Sequence, residues 1–146
     1  MRLSFDVKSD FVRGITAVSD RAFEWSIQQA SAGEITRNVD QGRVYVDQPD
    51  PIRAFGIVVP RIDAEHIWAF AVDPPFQGQG LGNQLLSEMI ADSYDDMTLN
   101  VKASNVPAIR LYKKFGFEVT KRLVDWYLEE GDGLHMRRSY VPRIEL

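Results

Sequence analysis

Gln77-Gly78-Gln79-Gly80-Leu81-Gly82-Asn83 stands between an apolar run, His66-Ile67-Trp68-Ala69-Phe70-Ala71-Val72, and a stretch carrying Leu81, Leu85, Leu86, Met89 and Ile90 at helical spacing. The run is apolar on both faces, as in a central strand covered on both sides. Asp73-Pro74-Pro75 stops it, and a helix is expected from Gly80. Glycines at 78, 80 and 82 let the backbone approach a ligand closely. The first amides of a helix lack partners inside it and point outward, and the helix dipole adds partial positive charge there. A pyrophosphate is the natural guest of such a cradle. Two other phosphate loops are excluded. The Lys-Ser or Lys-Thr that closes a P-loop is missing, and the dinucleotide fingerprint meets Asn83 where its third glycine belongs.

Downstream, Met97 to Val101 alternates as a strand. A short helix follows, with Asn105 or Ser104 as cap, Pro107 in its first turn and Gly116 as its stop. It carries Ala108, Leu111, Tyr112 and Phe115. The chain then reads as a long hairpin, with arms Val119 to Leu128 and Leu134 to Ser139 around Glu129-Glu130-Gly131-Asp132-Gly133. Upstream, Leu3, Phe5 and Val7 alternate as a first strand. A helix capped by Ser9 or Asp10 carries Phe11, Val12, Ile15 and Val18. A second helix is expected from Glu24 to Val39, weakened by Gly33, followed by strands Arg43–Val46 and Arg53–Val59. The order predicts an α/β domain with a mixed sheet. The 146 residues fit one domain, 1–146.

Composition removes several classes of function. The chain has no cysteine and only His66 and His135 as histidines, so thiolate nucleophiles and the usual zinc sites are not expected. These absences suggest the cytoplasm. A net charge of −4 argues against a sequence-independent grip on nucleic acid. No run of about 18 apolar residues exists to span a membrane.

From His66 to Phe117 the chain resembles the GCN5-related N-acetyltransferase (GNAT) superfamily. The resemblance rests on Ala-Val-Asp-Pro, the Gln77-x-x-Gly80-x-Gly82 loop and Leu-Asn-Val-Lys-Ala-Ser-Asn, then Pro-Ala-Ile-Arg-Leu-Tyr-Lys-Lys and Phe-Gly-Phe. Val101-Lys102-Ala103-Ser104-Asn105 and Ala22-Phe23-Glu24-Trp25-Ser26 are similar to the bacterial ribosomal-protein alanine N-acetyltransferases. The resemblance implies a mixed central sheet of six to seven strands flanked by about four helices, with acetyl-CoA as cosubstrate. Ala71 and Val72 would pair with the pantetheine arm. Gln77, Gly78, Gln79, Gly80, Leu81, Gly82 and Asn83 would take the pyrophosphate, and Asn105 and Ala108 would touch the arm. Tyr112 would lie near the sulfur.

Acetyl transfer to an amine needs a base, an oxyanion donor and an acid for the leaving thiolate. Tyr112 has the type of the acid, although the same position suits a core tyrosine. A backbone N–H near the end of the His66–Val72 strand would serve the oxyanion. The base is open. Relatives often carry Glu or His where Asn100 stands, and asparagine takes no proton usefully. His66 has the right type, and water relayed by Asn100 is the favoured alternative. His135 is expected to be structural, and Glu24 and Glu34 are possible groove residues. The expected acceptor is a peptide or protein N-terminus, with a small amine as runner-up and a non-catalytic acyl-CoA-binding module as a third reading. A monomer or homodimer is expected.

Overall fold

The computed structural model describes residues 1–23, 26 and 28–142. A 3-10 turn at Lys8–Phe11 leads into helix α1 (Val12–Ala22), followed by α2 (Ala32–Gln41), β1 (Arg43–Val46), β2 (Ala54–Pro60) and β3 (Glu65–Val72). Then come α3 (Leu81–Ala91), β4 (Met97–Lys102), α4 (Val106–Lys114), β5 (Glu118–Leu123) and β6 (Gly133–Arg138). The strands form one sheet in the order β1-β2-β3-β4-β6-β5. Only β3 and β4 run parallel; the other neighbours are antiparallel. A parallel pair needs a crossover, and α3 supplies it.

Each sheet face has its own core. Leu85, Leu86 and Met89 of α3 and Tyr112 of α4 pack on Val58, Ile67, Leu99 and Met136. On the other face, Ile15 and Val18 of α1 and Ile35 and Val39 of α2 cover Phe55, Ile57 and Val59. This second core holds no buried residue of β4, β5 or β6. Here the sheet keeps a polar row, with Thr98 and Asn100 alternating against Leu99 and Val101.

Two irregularities in β3 shape the site. Ile57 pairs with Ala69 and Val58 with Ile67, so Trp68 is an extra residue, a β-bulge. Ile67 therefore packs on the α3 side, Trp68 and Ala69 both turn to the α1–α2 side, and Phe70 returns to the α3 side. The second is the β3–β4 pairing, which consists of Glu65↔Met97 and His66↔Thr98. Beyond it the strands part.

The ends of the chain depart from the sequence reading. The expected first strand is reduced to an isolated bridge, Arg2↔Tyr45. Leu3 is buried but Phe5 is 79% exposed, so the alternation has no sheet face to fill. Among the described residues the sheet thus has six strands. Ser9 and Asp10 fall in the 3-10 turn, and the helix after it starts without a side-chain cap. The second helix begins later than expected, at a capping box in which Ser31 and Glu34 satisfy each other's backbone N–H. Gly33 falls in its first turn. Glu24 and Trp25 lie outside the described residues. The first hairpin arm ends at Leu123, because Asp125 and Leu128 take positive φ and break the strand.

Candidate active site

The cradle forms as the glycines require. Gly78 and Gly80 have φ of +78° and +86°, where side chains are strained, and a Cβ at either would meet only open space. The first bond of α3 runs from the Gln84 N–H to the Gly80 carbonyl at 3.1 Å, so the amides of Leu81, Gly82 and Asn83 precede the ladder. Gly82 serves differently. Its φ is not left-handed, and a Cβ there would lie 3.5 Å from Leu111 and 3.7 Å from Phe70 and Val72. A methyl there would sit at ordinary contact distance, so α3 does not need glycine at this position to lie on α4 and β3. Gln79 is exposed and its side chain does not line the groove.

From the cradle a groove of about 540 Å³ runs along β3, past Val72, Ala71 and Phe70, to Asn105, Ala108 and Tyr112 of the α4 region. The Asp73 N–H donates to the Arg53 carbonyl at 2.7 Å, which directs it toward β2. By the two-residue alternation of a strand, Ala71 also turns its polar groups to β2, and Phe70 and Val72 turn theirs to the gap left by β4. The Val72 carbonyl accepts from the Gln77 side chain at 3.0 Å, which agrees. A long ligand with amide groups and a pyrophosphate at one end fits: edge groups for the amides, unladdered helix amides and open space for the phosphates.

A second cavity, of about 360 Å³, opens on the α1–α2 side of the gap. His66, Trp68, Asn100, Glu34, Trp126 and Tyr127 line it. Phe23, Phe70, Asn105 and Tyr112 line both cavities. The expected catalytic residues Tyr112, His66 and Asn100 therefore share one space, and Tyr112 stands at its junction with the groove. Asn105 caps α4, accepting from the Ala108 N–H at 3.3 Å.

Tyr112 is 7% exposed and packs edge-on against Phe70 and Phe117. Burial, with a smaller contribution from Tyr127, pushes its phenol well above the ordinary value, so it stays protonated near neutrality. His66 Nδ1 lies 2.8 Å from Thr98 Oγ1. Burial first, then Arg61 and His135, lower its pKa to about 4. It is a neutral imidazole at physiological pH rather than the base poised near 6 to 7 that its type suggests. Asn100 is not free either: its Oδ1 lies 2.7 Å from His135 Nδ1. His135 is thus part of the polar row. Its register partner across β4–β6 is Asn100, a pairing that residue type alone does not reveal. Lys102, Glu130 and Ser26 form a further polar knot beside Tyr127.

The acetyltransferase (GNAT) domain family matches residues 40–119. The N-terminal acetyltransferase B complex catalytic subunit NAA20 of Arabidopsis thaliana is 32% identical over 104 residues, 64% of this chain and 60% of that protein. The [Ribosomal protein bS18]-alanine N-acetyltransferase of Salmonella typhimurium is 33% identical over 115 residues, 70% of this chain and 78% of that one. The crystal structure of the Escherichia coli ribosomal-protein-S18-alanine N-acetyltransferase superposes with a TM-score of 0.83 at 25% identity, covering 99% of this chain and 97% of that chain. With the cradle, the parted strands and the joined cavities, these likenesses establish that the chain belongs to the GNAT family of acetyl-CoA-dependent N-acetyltransferases.

Proposed function

We propose that residues 1–146 act as one domain that transfers acetyl from acetyl-CoA to the α-amine of a peptide or protein N-terminus, in the cytoplasm. The observation carrying this reading is the junction of the two cavities at Phe70, Asn105 and Tyr112. It gives the acyl donor and the amine separate approaches to one point. Gly78, Gly80, Leu81, Gly82 and Asn83 hold the pyrophosphate with backbone groups, and Phe70 and Val72 offer their edge to the arm. When bound, acetyl-CoA supplies an activated acyl carbon. The Phe70 N–H, facing the gap just past the bulge, is the donor for the oxyanion. Tyr112 gives its proton to the leaving sulfur, and the burial that disfavours phenolate disfavours an unprotonated thiolate beside it equally.

The acceptor class follows from the base. Asn100 takes no proton and the His66 imidazole is weakly basic, so the site suits an amine that arrives partly neutral. An α-amine is roughly 15% neutral at pH 7, whereas a lysine amine is neutral in well under about 0.1% of molecules. Both sequence relatives are named for acetylating protein N-termini or an alanine of a ribosomal protein, which supports the same class. The test is acetyl-CoA turnover on peptides with varied first residues, beside polyamines and aminoglycosides. Turnover on polyamines alone would reassign the acceptor. CoA binding without turnover on any amine would make the chain an acyl-CoA-binding module.

A further inference from the structure

Thr98 is buried in β4, 6% exposed, on the polar row opposite the α3 core. Among the described residues its Oγ1 has two polar neighbours: His66 Nδ1 at 2.8 Å and the Glu65 carbonyl at 3.5 Å. A hydroxyl has one hydrogen. Directed at the carbonyl, which cannot donate, it leaves Oγ1 free to accept from His66 Nδ1–H. Both polar neighbours are then served with one hydrogen each. The imidazole so held carries its proton on Nδ1, and its Nε2 lone pair is left for the cavity that His66 lines.

We infer that Thr98 is a positioning residue that fixes His66 as the Nδ1–H tautomer, so that Nε2 accepts from the N–H of the incoming amine. The inference rests on the proposed amine acceptor. Nε2 first orients the amine, turning the nitrogen lone pair toward the acyl carbon. As the C–N bond forms the nitrogen becomes cationic, and its acidity rises steeply as it turns into an amide nitrogen. The N–H bond then breaks, an Nε2–H bond forms, and the imidazolium gives its proton to solvent in the cavity. A base of low pKa suffices, because the proton is taken after attack and not before it. The surroundings agree. Arg61 from the β2–β3 turn and His135 from β6 oppose a resident proton on His66. Glu34 from α2, and Asn100, Tyr112 and Tyr127, also line the cavity, and none of them is bonded to the ring among the described residues. His66 therefore stays an acceptor throughout the physiological range.

The tautomer is read in the free full-length protein by long-range 1H–15N correlation of the imidazoles, with His66→Gln assigning the signals. The wild type and Thr98→Ser should show protonated Nδ1 at His66. Thr98→Val should lose that preference. With a peptide acceptor, Thr98→Val should lower kcat at least about tenfold at unchanged CoA affinity, and Thr98→Ser should recover most of it. A wild-type His66 protonated on Nε2 overturns the inference. So does a Thr98→Val protein that keeps both tautomer and rate. Should Thr98→Val not fold, the tautomers of the wild type and of Thr98→Ser still decide the matter. The tautomer needs no acceptor, so a wrong acceptor class shows separately, as a wild type inactive on every peptide.

Discussion

Tyr112 meets Phe70 edge-on, with ring centroids 6.2 Å apart, and this contact lies where the groove along β3 and the cavity on the α1–α2 side join. The pair ties α4 to β3, the strand whose free edge faces the gap. The ring of Tyr112 is thus core, and the acid role proposed for its hydroxyl is separable from that packing. Replacement by Phe separates the two. Tyr112→Phe should keep stability and CoA affinity while kcat falls by roughly ten- to a thousandfold. Calorimetry with CoA beside steady-state kinetics checks it. Normal turnover with lowered stability would leave Tyr112 a packing residue only.

The glycines of the cradle should not respond alike. Gly80→Val forces a β-branched side chain into φ +86° over the phosphate position, so CoA affinity should drop by more than about tenfold. Gly82→Ala adds a methyl that meets Leu111, Phe70 and Val72 at ordinary contact distance, and should change affinity by less than about threefold. Titration calorimetry on both folded variants makes the comparison. Equal affinity in Gly80→Val and wild type would remove the pyrophosphate from this loop.

The half-buried imidazole of His66 has consequences for pH. The folded pKa of His66, about 4, lies below its ordinary value of 6.5. As pH falls below 6.5 the unfolded chain takes up a proton that the native chain refuses. Stability is therefore whole above about pH 7 and is lost toward pH 4, by at most about 3 kcal/mol. Denaturant melts of wild type and His66→Gln should diverge in that window and nowhere else. In kinetics, kcat/KM should show no rise near pH 6 to 7 belonging to His66. Its basic limb should move with the pKa of the amine when two acceptors are compared. A limb common to both acceptors and lost in His66→Gln would contradict the lowered pKa.

Asn100 offers a gain of function. Asn100→Glu places a carboxylate in the cavity that Tyr112 and His66 also line, where it can take a proton before attack. The rate on a lysine-type amine should rise severalfold more than the rate on an α-amine, as a ratio of kcat/KM values. The variant also costs the 2.7 Å contact with His135, so kcat on α-amines should fall modestly. A uniform change on both acceptors would mean that proton removal does not limit the wild type.

What the sequence disclosed and what it hid divide along physical lines. The cradle is local: Gly78, Gly80 and the amphipathic helix after them lie within a few residues, and their chemistry is backbone geometry. The Asn105 cap on Ala108 is local too. The His66–Thr98 and Asn100–His135 contacts join residues 32 and 35 positions apart through strand register, which alternation does not specify. The bulge at Trp68 is invisible because its neighbours are apolar on both sides. Leu3, Phe5 and Val7 show the reverse case, a true alternation with no sheet to receive it. Two left-handed residues, Asp125 and Leu128, shorten the expected hairpin arm without the glycine that would have announced them.

The two residue pairs that join β3 to β4 also make the molecule incomplete by itself. One end of the sheet is zipped and the other is open, so a polar partner laid between the strands acts as a missing rung. Binding should then be sequential: acetyl-CoA first, closing the seam, and the amine second, on a wall that the first ligand has finished. Amide hydrogens of Phe70 and Val72 should exchange quickly in the free protein and slowly once CoA is bound. The melting temperature should climb with CoA concentration, by the equivalent of about 2.7 kcal/mol at a hundredfold excess over Kd. Peptide alone should produce neither change. Acetyl-CoA so bound would be, mechanically, a piece of the fold that arrives from solution.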